Sequence, residues 1–456
     1  MRRNLWIMTF QLARATFRAH RPAFAGTAVA ALFAATVVSA ATTLLVATDG
    51  EGLSAAARRT LAEHGVGSTA AVLLIGSVYM SIFVVASTMS TAVAQQHREL
   101  ALARTVGARP RQIRRTAIRQ AVATAVPAAS VGCVCGAVVG RWWFDAMVAH
   151  GLVPDEVRFS FSWVAIPACL AVAVVTSCAA AFLASLRFSL LRPAMALDEA
   201  ASGRRGLGLP RTLLGLVATA GAVLLAILLS RQPADDAGEG AFLVLILFCV
   251  GAGLLGPRLM GPAARVVSAC VGRFGSSARL AMLNVRSQPR RFSAAVVPLV
   301  LVVGFGLTKI GMHTTAQHHT GSAGSRGELW MDYAGTSLYA GFAAIAAANT
   351  LAMISFERRR DVALLRVVGT LPGQVRAMAA WEAVVVAGTA LLVGGAISVG
   401  TMAPILDTAF GSPLPHIPWP VLAAVVGGTI LLAGLATGLP VHRVLRQRAI
   451  TVVQAA

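Results

Sequence analysis

Ten apolar stretches, each bounded by short polar segments, set the rhythm of this chain. They run from Ala23 to Ala47, Ser68 to Val93, Ala121 to Val139, Val164 to Leu186, Leu213 to Leu229, Ala241 to Leu255, Phe292 to Ile310, Ser337 to Ile354, Ala383 to Val399 and Val421 to Leu439. A helix needs roughly 20 apolar residues to cross about 30 Å of hydrocarbon. The pattern therefore predicts an all-α integral membrane protein with about ten transmembrane helices, the sixth and ninth being among the shortest. The first run exceeds the about 7 to 15 residue core of a cleaved signal and reads as a retained helix. Ahead of it, Trp6, Phe10 and Phe17 with Arg14 and Arg18 fit a short interfacial helix.

The polar segment after the second run recurs after the eighth. Arg98 to Arg114 and Arg360 to Arg376 align without a gap at an offset of 262 residues. They share Arg98/Arg360, Ala101/Ala363, Leu102/Leu364, Arg104/Arg366, Val106/Val368, Gly107/Gly369, Pro110/Pro372, Gln112/Gln374 and Arg114/Arg376, and keep a carboxylate at Glu99/Asp361. Fainter matches flank this core. Leu12-Ala13, Arg18 and Phe24 correspond to Leu280-Ala281, Arg286 and Phe292 at an offset of 268, and Trp163, Arg187 and Arg192 to Trp419, Arg443 and Arg448 at 256. Both changes of offset are most simply placed in loops, which tolerate them. Two four-span repeats are expected, in 1–200 and 273–456, with spans five and six as a spacer in 201–272. The spacer pair returns the chain to the side it left, so the repeats run parallel.

Within the repeated segment, helix-forming residues run on past the membrane boundary and stop at Gly107, with Pro110 three residues later. Glycine after a helix and proline in the first turn of the next are stop and restart signals. A continuous helix from Ser68 to Val106 would measure about 58 Å. It would project as a stalk, turn, and return through a short basic helix, Pro110 to Arg119, near the surface. Gly369 and Pro372 repeat the same grammar.

Composition agrees with the pattern: 57% of residues are hydrophobic and 12% charged, against about 25% charged in soluble domains. A net charge of +21 would indicate a nucleic-acid partner in a soluble protein, so placement decides. With the N-terminus cytoplasmic, the outward segments hold Arg58, Arg59, Arg141, Arg158, Arg231, Lys309 and Arg326, seven of the 39 Lys+Arg, but 12 of the 18 Asp+Glu. That sorting obeys the positive-inside rule with both termini cytoplasmic. Three tyrosines and few other aromatics provide no stacking platform, and no nucleic-acid partner is expected.

Arginine at 104, 109, 111, 114 and 115 is explained by orientation and contact with anionic membrane lipids. Lipid electrostatics does not explain an acid, glycine, proline and glutamine at fixed spacing. The pattern R-E-x-A-x-x-R-x-x-G-A-x-x-x-Q over Arg98 to Gln112, less complete over Arg360 to Gln374, resembles the FtsX-like permease signature of ABC transporters of the MacB, LolC and BceB kind. The resemblance extends to the pre-span helices (Leu12 to Arg18, Leu280 to Arg286) and to the basic stretches Arg187 to Leu197 and Arg443 to Val453. It implies a multi-pass permease of a bacterial cell membrane whose two handles dock in a cytosolic ABC ATPase dimer. Arg98, Glu99, Arg104, Gly107, Pro110, Gln112 and Arg114, with Arg360, Asp361, Arg366, Gly369, Pro372, Gln374 and Arg376, would form the coupling segments. ATP and Mg would be bound by the partner, with no cofactor on this chain, and a hydrophobic, lipid or peptide substrate would be exported or a mechanical signal passed on. There are two departures. Thr370 and Leu371 replace Ala108 and Arg109, and the longest outward loop, about His313 to Met331, has no room for the large extracytoplasmic domain of members acting on lipoproteins, peptides or antibiotics.

Catalysis by this chain is not expected. A P-loop needs a lysine beside its glycines, and the single lysine, Lys309, follows Thr308; it is read as snorkelling to the interface. Glu382 opens span nine where the first repeat has Gln120, either as a functional intramembrane acid or as a first-turn helix residue. His313, His318 and His319 lack a cysteine or spaced carboxylate nearby and read as a solvated loop rather than a metal site. The six cysteines read as small apolar residues, and Gly132, Gly136 and Gly140 as a close helix contact. A secondary transporter would need charged groups at mid-membrane, which the spans nearly lack. A signalling or scaffold subunit acting on an extracellular partner is the other alternative.

Overall fold

In the computed structural model the described residues are 21–48, 54–63, 66–95, 110–154, 156–190, 209–231, 234–271, 275–287, 289–321 and 326–446. The interfacial helix expected before Arg21, the segment 96–109 and the basic stretches beyond 190 and 446 lie outside them. The described residues form thirteen helices and no strand. In chain order these are α1 (Arg21–Thr48), α2 (Ala55–Glu63), α3 (Val66–Gln95), α4 (Pro110–Ala149), α5 (Ala165–Leu190), α6 (Leu209–Leu229), α7 (Ala234–Val271), α8 (Ser276–Ser287), α9 (Pro289–Thr320), α10 (Arg326–Glu357), α11 (Arg359–Val367), α12 (Pro372–Phe410) and α13 (Trp419–Leu445). Among the described residues eight helices are long and apolar enough to cross a membrane, nine with the bent α7. The 30 residues of α3, none of them charged, cover the second expected run. Each of the ten apolar runs thus falls on a helix, as an all-α multi-pass membrane protein requires.

The chain packs as two compact units, Met1–Gly206 with Ser325–Phe342, and Leu207–Gly324 with Ala343–Ala456. In the first, α1 packs against α3, α4 and α5. Its tightest approach uses the expected glycine stripe. A Cβ on Gly132 would fall 2.3 Å from the Leu32 carbonyl oxygen and 2.8 Å from Ala35 Cβ, and one on Gly136 2.5 Å from Ser39 Cβ. Backbones that close leave no room for side chains, so dispersion contacts and short polar bonds hold the pair. Ser39 Oγ donates to the Cys133 carbonyl at 3.1 Å, and Cys169 Sγ to the Ala35 carbonyl at 3.3 Å. Both cysteines sit in a buried cluster with Ala35, Val38, Ala129 and Ala173, in the small apolar role their sequence context implies.

In the second unit, α12 is the hub, packed against α7, α8, α9 and α13. Here a Cβ on Gly394 would fall 2.8 Å from Val303 Cβ and 3.2 Å from the Val300 carbonyl oxygen. These are the repeat equivalents of Gly132, Ala35 and Leu32 at offsets of 262 and 268. The shifting offset read from the sequence therefore corresponds to one helix contact built twice. The sixth span is bent by 88° between Leu243–Gly256 and Gly261–Val267. Pro257 has no N–H to offer the Gly253 carbonyl four residues earlier. Arg211 supplies it, its guanidinium donating to the carbonyls of Gly253 and Leu254 at 3.0 Å.

Three expectations need correction. The outward loop from His313 to Met331 is mostly helix: α9 continues to Thr320 and α10 starts at Arg326. There His318 stacks on His416 with ring centroids 4.0 Å apart, and His319 on Phe410 at 5.0 Å. No group of three or more metal-ligating side chains occurs among the described residues. Second, the return helix from Pro110 to Arg119 is not separate, being the opening turns of the 40-residue α4. Third, in the second repeat the stalk is not one helix, because α10 ends at Glu357 and α11 begins at Arg359.

Candidate functional site

The second copy of the duplicated segment forms a helix hairpin, α11–turn–α12. Asp361 lies in the first turn of α11 and Arg366 in its last, each at the end whose backbone partial charge it complements. Arg366 also donates to the carbonyl of Leu445 in the last turn of α13, at 3.3 Å. Arg360 is the second residue of the same helix. The helix then stops in a Schellman motif. Thr370 N–H reaches the Leu365 carbonyl and Gly369 N–H the Arg366 carbonyl, both at 3.1 Å. Such a stop needs a left-handed residue, and Gly369 has φ of 106°. Pro372 occupies the first turn of α12, where its missing N–H costs nothing. Gln374 Oε1 turns back to accept from the Leu371 N–H at 3.0 Å, satisfying a donor that helix formation leaves orphaned. The glycine, proline and glutamine are thus the parts of one rigid turn.

That turn rests on a buried cluster of Val362, Val375, Ala379, Val441 and Val444. What it presents outward is apolar. Val368 is 85% exposed, Leu371 64% and Val367 58%, with Arg376 exposed beside them on α12. Behind the turn, Arg358 forms a two-pronged ion pair with Glu382, one contact at 3.1 Å, and Asn284 of α8 donates to the same carboxylate. Glu382 is therefore neither a lone intramembrane acid nor a simple first-turn residue. It joins the end of α10, the base of α12 and α8. The sequence carries a sign of this: the repeat offset pairs Arg358 and Glu382 with Gln96 and Gln120, so two glutamines in one copy are complementary charges in the other.

Of the first copy, Arg98, Glu99, Arg104 and Gly107 lie outside the described residues. Pro110 again opens its helix, and Gln112, half-buried, lies in the same first turn. Arg114 is half-buried, its guanidinium 5.6 Å from the centroid of the Phe182 ring on α5, whereas its counterpart Arg376 is exposed. Arg114 is thus held by a cation–π contact within its own bundle.

A duplicated set of long apolar helices, with a capped polar hairpin described in the second copy, defines a multi-pass membrane protein of the permease type. The FtsX-like permease C-terminal family model matches residues 71–192 and 336–449, just over half of the chain and one match in each repeat. The chain belongs to that family. Each match takes in three of the apolar runs and the duplicated polar segment between the first two of them. No curated protein matches the sequence significantly.

Proposed function

We propose that this chain is the membrane subunit of an ABC-type complex, driven by a separate cytosolic ATPase dimer that binds ATP and Mg and grips the two hairpins. The observation that carries this reading is the exposed apolar tip at Val367, Val368 and Leu371, held on a rigid turn at the basic end of the helices. Exposed apolar groups fixed in place at a polar surface mark a docking site for protein. In the coupling, Gly107/Gly369, Pro110/Pro372 and Gln112/Gln374 shape the turn. Arg98/Arg360, Glu99/Asp361 and Arg104/Arg366 anchor the helix before it, and Arg376 adds charge beside the tip. Because α12 runs unbroken from Pro372 to Phe410, a push at the turn is carried about 57 Å along one helix. The helix after the turn, rather than the stalk before it, is the transmitting element.

The test uses the intact complex with its cognate ATPase in lipid nanodiscs. Val368→Asp with Leu371→Asp is expected to reduce permease-stimulated ATP hydrolysis several-fold while the membrane chain stays monodisperse. Gly107→Pro with Gly369→Pro should do the same by breaking the turns. Undiminished stimulation in both variants would remove the coupling role. The short connection after Thr320 leaves no room for a large outward domain, which favours transmission to an extracellular partner as the second reading. Crosslinking of a secreted protein to the exposed Gln317, with no transported substrate, would select it.

A further inference from the structure

Two cavities meet at α8. The larger, about 660 Å³, lies among α8, α11 and the base of α12, walled by Leu283, Phe292, Leu351, Leu365, Met378 and Val386. It follows α12 from Val375 to Val386, about 17 Å at helical rise. Three of its polar side chains, Arg358, Glu382 and Asn284, are tied to one another. The smaller, about 280 Å³, is bordered by Arg265 and Arg286 beside Ala264, Met282 and Gly261. Val285 and Phe292 line both. The wall of the larger cavity is mostly apolar, and its volume falls in the about 300–1,000 Å³ range of ligand sites. Its extension along α12 and its mostly apolar wall match a hydrocarbon chain better than a compact solute. The α8 helix buries Ala278 and Ala281 and exposes Leu280, Leu283 and Arg286, as a helix lying in a membrane interface does.

We propose that the two cavities form one binding site for an anionic phospholipid of the leaflet on the hairpin side. An acyl chain lies in the larger cavity and the phosphate between the guanidinium groups of Arg265 and Arg286, which can hold it by charge-assisted hydrogen bonds. Val362 and Leu365 of α11 form part of the chain-binding wall, so an occupied site braces the second hairpin against α12. The site stands on these cavities alone and does not depend on the ATPase reading.

The test is native mass spectrometry of the delipidated full-length chain, with dipalmitoyl phosphatidylglycerol, dipalmitoyl phosphatidylcholine or glycerol 3-phosphate added back. One phosphatidylglycerol should be retained with about thirtyfold preference over phosphatidylcholine, from two cationic side chains. Arg265→Gln with Arg286→Gln should abolish the preference and leave weak binding of both lipids. Ala379→Phe, which projects into the larger cavity, should lose both lipids, with a thermal melt confirming that the variant is folded. The proposal is overturned if both variants retain phosphatidylglycerol as the parent does. It is overturned equally if glycerol 3-phosphate competes as well as the lipid, or if removing residues 447–456 creates lipid binding that the parent lacks, making that segment the occupant.

Discussion

Gly369 is the position where backbone geometry decides the identity of the side chain. Its φ of 106° lies where side chains are strained, although open space surrounds the site. Gly369→Ala should therefore destabilise the turn by about 1–2 kcal/mol without any clash. Hydrogen exchange at the Gly369 and Thr370 amides is the measurement, and unchanged protection would contradict the Schellman assignment. Arg358 and Glu382 give a sharper test. Removing one partner strands the other in a largely buried place, so Arg358→Gln or Glu382→Gln alone should lower stability by about 3–5 kcal/mol. Both changes together place glutamines where the first repeat has Gln96 and Gln120 in sequence, and should recover most of the loss. If the double variant is as unstable as the sum of the singles in thermal unfolding, the pair is not acting as a unit.

Among the elements, helix pairs joined through small residues fix each bundle. Gly136→Leu would drive a side chain into the Thr36 carbonyl and Ser39, and overpacking should destabilise by about 1–3 kcal/mol or more. Gly427 on α13 has nothing within 4 Å of a built Cβ, and Gly427→Ala should leave stability unchanged or raise it by up to about 1 kcal/mol. Similar melting temperatures for the two variants would mean that the α1–α4 contact is looser than described. The stripe was legible in the sequence because a four-residue spacing of glycines keeps one helix face. Its partner was not, since nothing local in Leu32 to Ser39 marks that face as the one facing Gly132.

For the molecule as a whole, the repeats differ where they would meet a partner. The second tip carries Val367 and Leu371 where the first has Thr105 and Arg109. An apolar contact is nearly indifferent to salt, whereas exposed charge is screened as the Debye length falls from about 30 Å at 0.01 M to 3 Å at 1 M. On the proposed function, the stimulation left after Val368→Asp with Leu371→Asp should be strongly salt-sensitive. After Arg109→Leu it should be nearly salt-independent. Equal salt dependence in both would mean that the tips are equivalent despite their sequences.

The sequence by itself determined the spans, the duplication, the two matches that define the family, and the stop and restart residues of the hairpin. Each of these rests on local rules: the length of an apolar run against the bilayer, and the backbone needs of helix ends. Gly369, Pro372 and Gln374 could be read because caps act within a few residues. Only the tertiary structure decided that Arg358 finds Glu382 and Asn284, that α12 and not a separate short helix follows the turn, and that Val367, Val368 and Leu371 face outward. In a chain this apolar, hydrophobicity marks what leaves water but not whether lipid, a neighbouring helix or a partner will cover it; that depends on contacts between residues far apart in sequence.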